Sequence, residues 1–183
     1  MNVGGGRRLT IDIRCTPHGK IWIMSAPREE LTTRFERSFD AVVAAVEQLD
    51  EAGMATFCPP EQCTAAALAC HVAEAESFGA DIVQSMVAGR PLPNLTMDDI
   101  HRMNAEQAAV NADVGKDEAL SRLRATRAKV MAALGDLSDE DLERTATFSL
   151  TGAQAVSVKT MIENALGPQS ENHLPSLQAA AAG

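Results

Sequence analysis

The sequence predicts an all-α four-helix bundle, and three observations carry that reading. Apolar residues recur every three or four positions over four long stretches, as one buried face of a helix requires. The 183 residues are 45% hydrophobic but only 3% aromatic, so small alanine-rich contacts rather than large rings fill the interior, which suits closely packed helices. Proline and glycine punctuate the stretches, at Pro59 and Pro60, in the segment RPLPNL and at Gly167 and Pro168. The length suits one domain with a substantial core.

Residues 1–23 differ from everything after them. Leu9, Ile11 and Ile13 alternate with polar residues, and Ile21, Trp22 and Ile23 follow the turn-like Pro17, His18 and Gly19, so this segment is either a small hairpin or a poorly ordered extension. The bundle domain occupies residues 24–183. Its first helix is expected over 27–52, entered at Ser25 or Ala26 before Pro27, with Glu29 and Glu30 favourably placed at the positive end of the helix dipole. Leu31, Phe35, Phe39, Val42, Val46 and Leu49 form its core face, and Gly53 closes it.

After a connection over Phe57 to Gln62, Thr64 caps a second helix running to Met86. Its stripe is Leu68, His71, Ala75, Phe78, Ile82 and Met86. The third arm starts at Thr96, followed by Asp98 and Asp99, breaks near Gly115, and continues with Leu120, Leu123, Val130, Leu134 and Leu137 on one face, where Arg127 also falls. SDEDLER is a short capped turn or helix, and the loop over Thr147 to Gly152 can form a brief extended pair. The last helix begins near Ala153 and presents Ile162, Leu166, Gln169, His173 and Leu177. Gly167 and Pro168 impose a kink or restart immediately before Gln169.

Composition excludes several classes of function. A formal charge of -9 with scattered basic residues argues against nucleic-acid binding, which needs clustered Lys and Arg. No apolar run approaches the ~20 residues of a membrane span, and the N-terminus lacks the apolar segment of a signal peptide. Cys15, Cys58, Cys63 and Cys70 form neither paired CxxC motifs nor a disulfide framework, so the chain reads as a reduced, cytoplasmic protein with Cys70 as a small core residue. There is no GxSxG, no glycine-rich phosphate loop ending in GK[ST] and no HExxH.

What remains is a pair of histidines on inward faces. A ring buried without partners costs about 1–3 kcal/mol, so His71 and His173 require a polar or metal-binding site between helices. Gln169 lies one turn before His173 on the same face. Glu74, one turn after His71, either orients a ligand or is an exposed helix charge. Arg127 either meets an anionic substrate or snorkels at the surface.

The stretch CTAAALACHVAEAE resembles the His-x-x-Glu segment of the DinB-like superfamily, with Cys63 where tryptophan is often found. MDDIHRMNAEQ and ALSRLRATRAKVMAALGDLSDEDLER resemble its third helix and following turn, and VKTMIENALGPQSENHLPSL its last, metal-bearing helix. The resemblance covers about residues 28–178. It implies a DinB-like four-helix bundle whose metal ligands are His71, Gln169 and His173, with an open fourth position on a divalent ion such as zinc or nickel. The superfamily usually has His at the middle ligand, and its mycothiol-dependent maleylpyruvate isomerase group has Glu. Gln169 departs from both, and its neutral amide oxygen is a poorer zinc ligand. The resemblance further implies a low-molecular-weight thiol cofactor, a small electrophilic substrate, a transferase or isomerase reaction and a homodimer formed through helices. The departure at Gln169 leaves a second reading, a non-catalytic ligand-binding or stress-associated bundle that has lost its metal.

Overall fold

A computed structural model describes residues 13–15, 21–23, 27–152 and 154–182. In the N-terminal segment β1 (Ile13–Cys15) pairs antiparallel with β2 (Ile21–Ile23), with Arg14 opposite Trp22. The connecting Pro17, His18 and Gly19 and the expected helix entry at Ser25 or Ala26 lie outside the described residues.

The bundle consists of α1 (Pro27–Gln48), α3 (Ala65–Val87), α5 (Lys116–Gly135) and a broken last arm, α7 (Val158–Ala165) and α8 (Pro168–Ala182). α1 packs on α5 and α8, and both of these pack on α3, which closes the square. The expected core faces are buried: Phe35, Phe39, Val42 and Val46 on α1 and Leu123, Val130 and Leu134 on α5 are all fully enclosed. Phe35 and Phe39 stack with ring centroids 5.1 Å apart.

The first arm is shorter than expected. α1 stops at Gln48, and Asp50 caps a separate α2 (Glu51–Ala55) by accepting a 2.8 Å hydrogen bond from Gly53 N–H. The connection that follows is a miniature hairpin in which β3 (Phe57–Cys58) pairs with β4 (Cys63–Thr64). Thr64 then caps α3 by accepting from Ala67 N–H, and its hydroxyl donates to the Ala112 carbonyl at 2.8 Å. Buried residues surround α3 on several faces, because alanines at 65–67, 69, 73 and 80 let neighbouring helices approach closely.

α4 (Met97–Val110) begins with a complete capping box between Thr96 and Asp99 and has no buried residue. A second capping box, Ser138 with Asp141, starts the short α6 (Asp139–Glu143). β5 (Thr145–Thr147) pairs with β6 (Ala155–Ser157), joined across a 3-10 turn at Ser149–Thr151. The extended pair therefore displaces the start of the last arm: α7 begins at Val158, capped by Ser157, rather than near Ala153, which lies outside the described residues.

The break before Gln169 is as expected, but it is built on a residue whose role the sequence did not reveal. Glu76, fully buried in the middle of α3, accepts from Gly167 N–H at 2.9 and 3.0 Å, from Ser170 N–H at 3.2 Å and from Ser170 Oγ at 2.9 Å. It thus satisfies the free N–H groups at the start of α8. Gly167 adopts φ +97°, a conformation that favours glycine. One turn further along α3, a Cβ on Gly79 would lie 2.9 Å from Leu166 Cδ2, so only glycine admits the end of α7 this closely.

Glu76→Ala, which strands buried donors, is expected to cost about 2–4 kcal/mol in denaturant unfolding. Burial raises the Glu76 carboxyl above its ordinary 4.5 by more than its hydrogen-bond donors lower it. Between the two values the folded state holds a proton that the unfolded chain has released. This contribution is complete below the unfolded value and is lost as pH rises through the folded one. Unfolding curves should accordingly show the stability of the parent relative to Glu76→Gln declining as pH rises above 4.5.

Candidate metal and ligand site

α3 and α8 bring His71 and His173 together. Their ring centroids are 5.2 Å apart and the rings meet edge-on, at 79°. Two imidazoles on one tetrahedral ion, with bonds of about 2.0–2.1 Å, have centroids about 5 Å apart. Burial first, and then the neighbouring His173, hold the His71 imidazole below its ordinary value of 6.5, so a nitrogen lone pair stays available at neutral pH.

His173 has a partner that sequence reasoning missed. Its Nδ1 lies 3.1 Å from Glu61 Oε2, off the line of a straight hydrogen bond, and no other acceptor reaches this buried nitrogen among the described residues. Glu61 projects from the turn of the β3–β4 hairpin, and its other oxygen accepts from Ser176 Oγ on α8 at 3.1 Å. The turn is held by Cys58 C=O accepting from Glu61 and Gln62 N–H, with Gln62 itself at φ +56°. Nothing in the local pattern flags Glu61, because 115 residues separate it from Ser176.

Gln169 and His71 line a cavity of about 440 Å³ between α3, α4, α7, the start of α8 and the β5–β6 connection. α3 contributes Ala75, Phe78, Gly79 and Ile82 as well, so the central part of its predicted stripe faces a cavity rather than the densest core. α4 contributes a stripe of Met97, Ile100, Met103, Asn104 and Gln107, and Phe148, Met161 and Asn164 complete the far wall. The volume falls in the range of small-molecule sites, roughly 300–1,000 Å³.

Two sequence-predicted residues stand elsewhere or do something else. Arg127 does not line the cavity: it lies on the α1–α5 seam, where its guanidinium donates to Asp40 at 2.7 Å and Glu36 at 3.0 Å. The apolar face of α5 carried it toward α1, while the cavity lies beyond α3. Glu74 borders the cavity but makes no hydrogen bond to His71. Its Oε1 accepts from Asn111 Nδ2 at 3.4 Å, and its Oε2 is buried without a partner. The acid placed against a histidine is Glu61.

The donor set decides what the site can hold. Among the described residues no group of three or more His, Cys, Asp or Glu side chains could hold an ion. The cysteines do not extend it: burial, and then Cys58, push the Cys63 thiol up to about 11, and burial raises Cys58 and Cys70. Two imidazoles in the separation one ion imposes, one of them backed by a carboxylate, suit a divalent cation, with the Gln169 amide on the adjoining turn.

No helix among the described residues is long and apolar enough to cross a membrane. Two solved structures share the fold, the mycothiol-dependent maleylpyruvate isomerase and a histidine-to-alanine mutant of it. Each superposes with a TM-score of 0.68 at 14% identity, covering 84% of this chain and 63% of the other. The chain therefore spans less than two thirds of the length of these structures. No curated protein matches it by sequence. Residues 26–163 match the family described as the mycothiol maleylpyruvate isomerase N-terminal domain, a segment that includes His71 and ends before Gln169 and His173. On that match, over most of its length, the chain belongs to the mycothiol maleylpyruvate isomerase N-terminal domain family.

Proposed function

We propose that this chain is the metal- and thiol-binding domain of a transferase or isomerase that joins a low-molecular-weight thiol to a small electrophile. The observation that carries the reading is the edge-on pair of His71 and His173, 5.2 Å apart, beside a cavity of ligand size. His71 and His173 would hold a divalent ion such as zinc or nickel, with the Gln169 amide oxygen as third donor. The family and the names of both structural neighbours support mycothiol or a similar thiol as the cofactor.

When bound, such an ion lowers the pKa of a thiol and supplies it as a thiolate. The chain's own residues do the rest. Burial keeps His71 neutral and able to donate its lone pair. The Glu61 carboxylate, 3.1 Å from His173 Nδ1, would stabilise a proton on that nitrogen and leave the opposite one free to bind an ion. Phe78, Ile82, Phe148 and Met161 give the cavity beside His71 an apolar wall.

One observation favours the non-catalytic reading. The set of two imidazoles and an amide supplies no anionic ligand atom, so it does not itself neutralise the ion. Gln169→Glu distinguishes the readings. A gain in zinc affinity accompanied by thiol transfer supports the enzyme, whereas a gain in affinity with no chemistry supports a ligand-binding bundle.

Protein purified without chelators is expected to carry about one equivalent of zinc or nickel by elemental analysis, lost in both His71→Ala and His173→Ala. A parent that takes up no zinc on titration would overturn the reading. Glu61→Gln should weaken zinc binding about 10–100-fold, the usual effect of removing an outer partner of a ligand, in competition with a chromophoric chelator. In the metal-free protein the same substitution should shift the His173 ring nitrogens in nitrogen NMR, reporting a changed tautomer.

A further inference from the structure

Two cysteines face each other across the hairpin that carries Glu61. Cys58 on β3 and Cys63 on β4 are direct partners in the antiparallel register. Residues opposed in this way project to the same face with Cα atoms about 4.5–5.5 Å apart, and a disulfide spans Cα separations of about 4.4–6.8 Å. The bond therefore fits the backbone as it stands. Both thiols are free, Cys58 buried and Cys63 half-buried.

Between them lies the turn that meets His173. The Cys58 carbonyl accepts from Glu61 N–H at 3.1 Å and from Gln62 N–H at 2.9 Å, so the turn presenting the Glu61 carboxylate hangs from Cys58 itself. Cys58 Sγ also lies 4.0 Å from the carbonyl of Ser176 on α8, the residue whose hydroxyl donates to Glu61. Burial, and then Cys58, push the Cys63 thiol up to about 11, and burial raises Cys58. Thiolates without stabilisation attack slowly, but the equilibrium shifts toward the disulfide, the reverse of the stabilised reduced form that makes a dithiol pair strongly oxidising.

We infer that Cys58 and Cys63 form a reversible disulfide, with the disulfide of a low-molecular-weight thiol as oxidant, and that the bond withdraws Glu61 from His173. The Cys63 thiolate, the more exposed of the two, attacks one sulfur of the external disulfide and expels a thiolate. The Cys58 thiolate then attacks Cys63 Sγ in the mixed disulfide and expels the second. The two cysteines lose two electrons and two protons, and the external disulfide becomes two thiols. Forming the bond draws Cys58 Sγ off the Ser176 carbonyl and shifts the anchor of the turn, which carries Glu61 away from His173. On the proposed function, the oxidised form of the thiol cofactor thereby weakens the ion site, and only that consequence rests on that reading.

Metal-free protein equilibrated with excess oxidised glutathione at mildly alkaline pH is expected to lose two hydrogens by intact mass, together with two titratable thiols. Cys58→Ser and Cys63→Ser should each abolish that loss, whereas Cys70→Ser should retain it. In nitrogen NMR of the same metal-free parent, the His173 ring resonances should move on oxidation and return on reduction with dithiothreitol. The double variant Cys58→Ser/Cys63→Ser should show no such movement under the same treatment. With zinc added, oxidation should weaken binding about tenfold in the parent and leave the affinity of Glu61→Gln unchanged.

Mixed disulfides with glutathione as the only product, a disulfide between other cysteines, or a Cys58–Cys63 bond that leaves the His173 resonances in place would each overturn the inference. So would an equal loss of zinc affinity in Glu61→Gln, since the thiols would then be acting as ligands themselves. The mass and NMR measurements contain no metal, so a parent that never binds zinc defeats the proposed chemistry without touching this result. A parent that binds zinc but forms no hairpin disulfide defeats the inference alone.

Discussion

The carboxylate of Glu76 joins the centre of α3 to the start of α8, and the geometry of the site depends on that junction. A helix start exposes N–H groups that have no partner within the helix, and burying them unpaired is costly. Here they are buried, and Glu76 meets them from a helix 91 residues away in the chain. The same contact fixes where Gln169 and His173 stand relative to His71, five residues before Glu76 on α3. Gly167 and Gly79 serve this junction, one by its left-handed backbone and the other by leaving room for Leu166.

Around that fixed core the molecule divides into a dense side and an open side. The contacts of α3 with α5 and of α1 with α5 are filled by alanine, leucine and phenylalanine, and surface ion pairs such as Arg127 with Asp40 and Arg34 with Glu171 run along the seams. On the other side α4 packs over α3 without burying a single residue. Its inner stripe of methionine, isoleucine and amide side chains encloses a space that no protein side chain fills. A cavity persists there because the capping boxes and short strands hold the surrounding elements apart, while α3 supplies small residues such as Ala75 and Gly79 at that level.

The two halves of the site are made differently. The histidine pair is half-buried and approached by Glu61 from a hairpin. The cavity is lined mainly by apolar side chains, methionines among them, with four amides, His71 and Glu74 as its polar lining. Family membership accounts for the helical domain over residues 26–163, which includes His71 and stops short of His173. A shared fold therefore leaves the substrate to be argued from side chains.

By itself the sequence determined the features that depend on local periodicity and local chemistry. The core faces of α1 and α5, the caps at Thr64, Thr96 and Ser138, and the restart at Pro168 all follow from residues a few positions apart. The inward position of His71 and His173 was legible for the same reason, since helical spacing alone places them on apolar stripes. Only the tertiary structure decided which acids serve them. Glu74, nearest in sequence, turns to Asn111, whereas Glu61 and Glu76 reach across the bundle to α8. It also decided that Arg127 joins the α1–α5 seam and that α3's stripe borders a cavity. Long-range pairing and empty space depend on how helices are placed against one another, and residue spacing within a single helix carries no record of that placement.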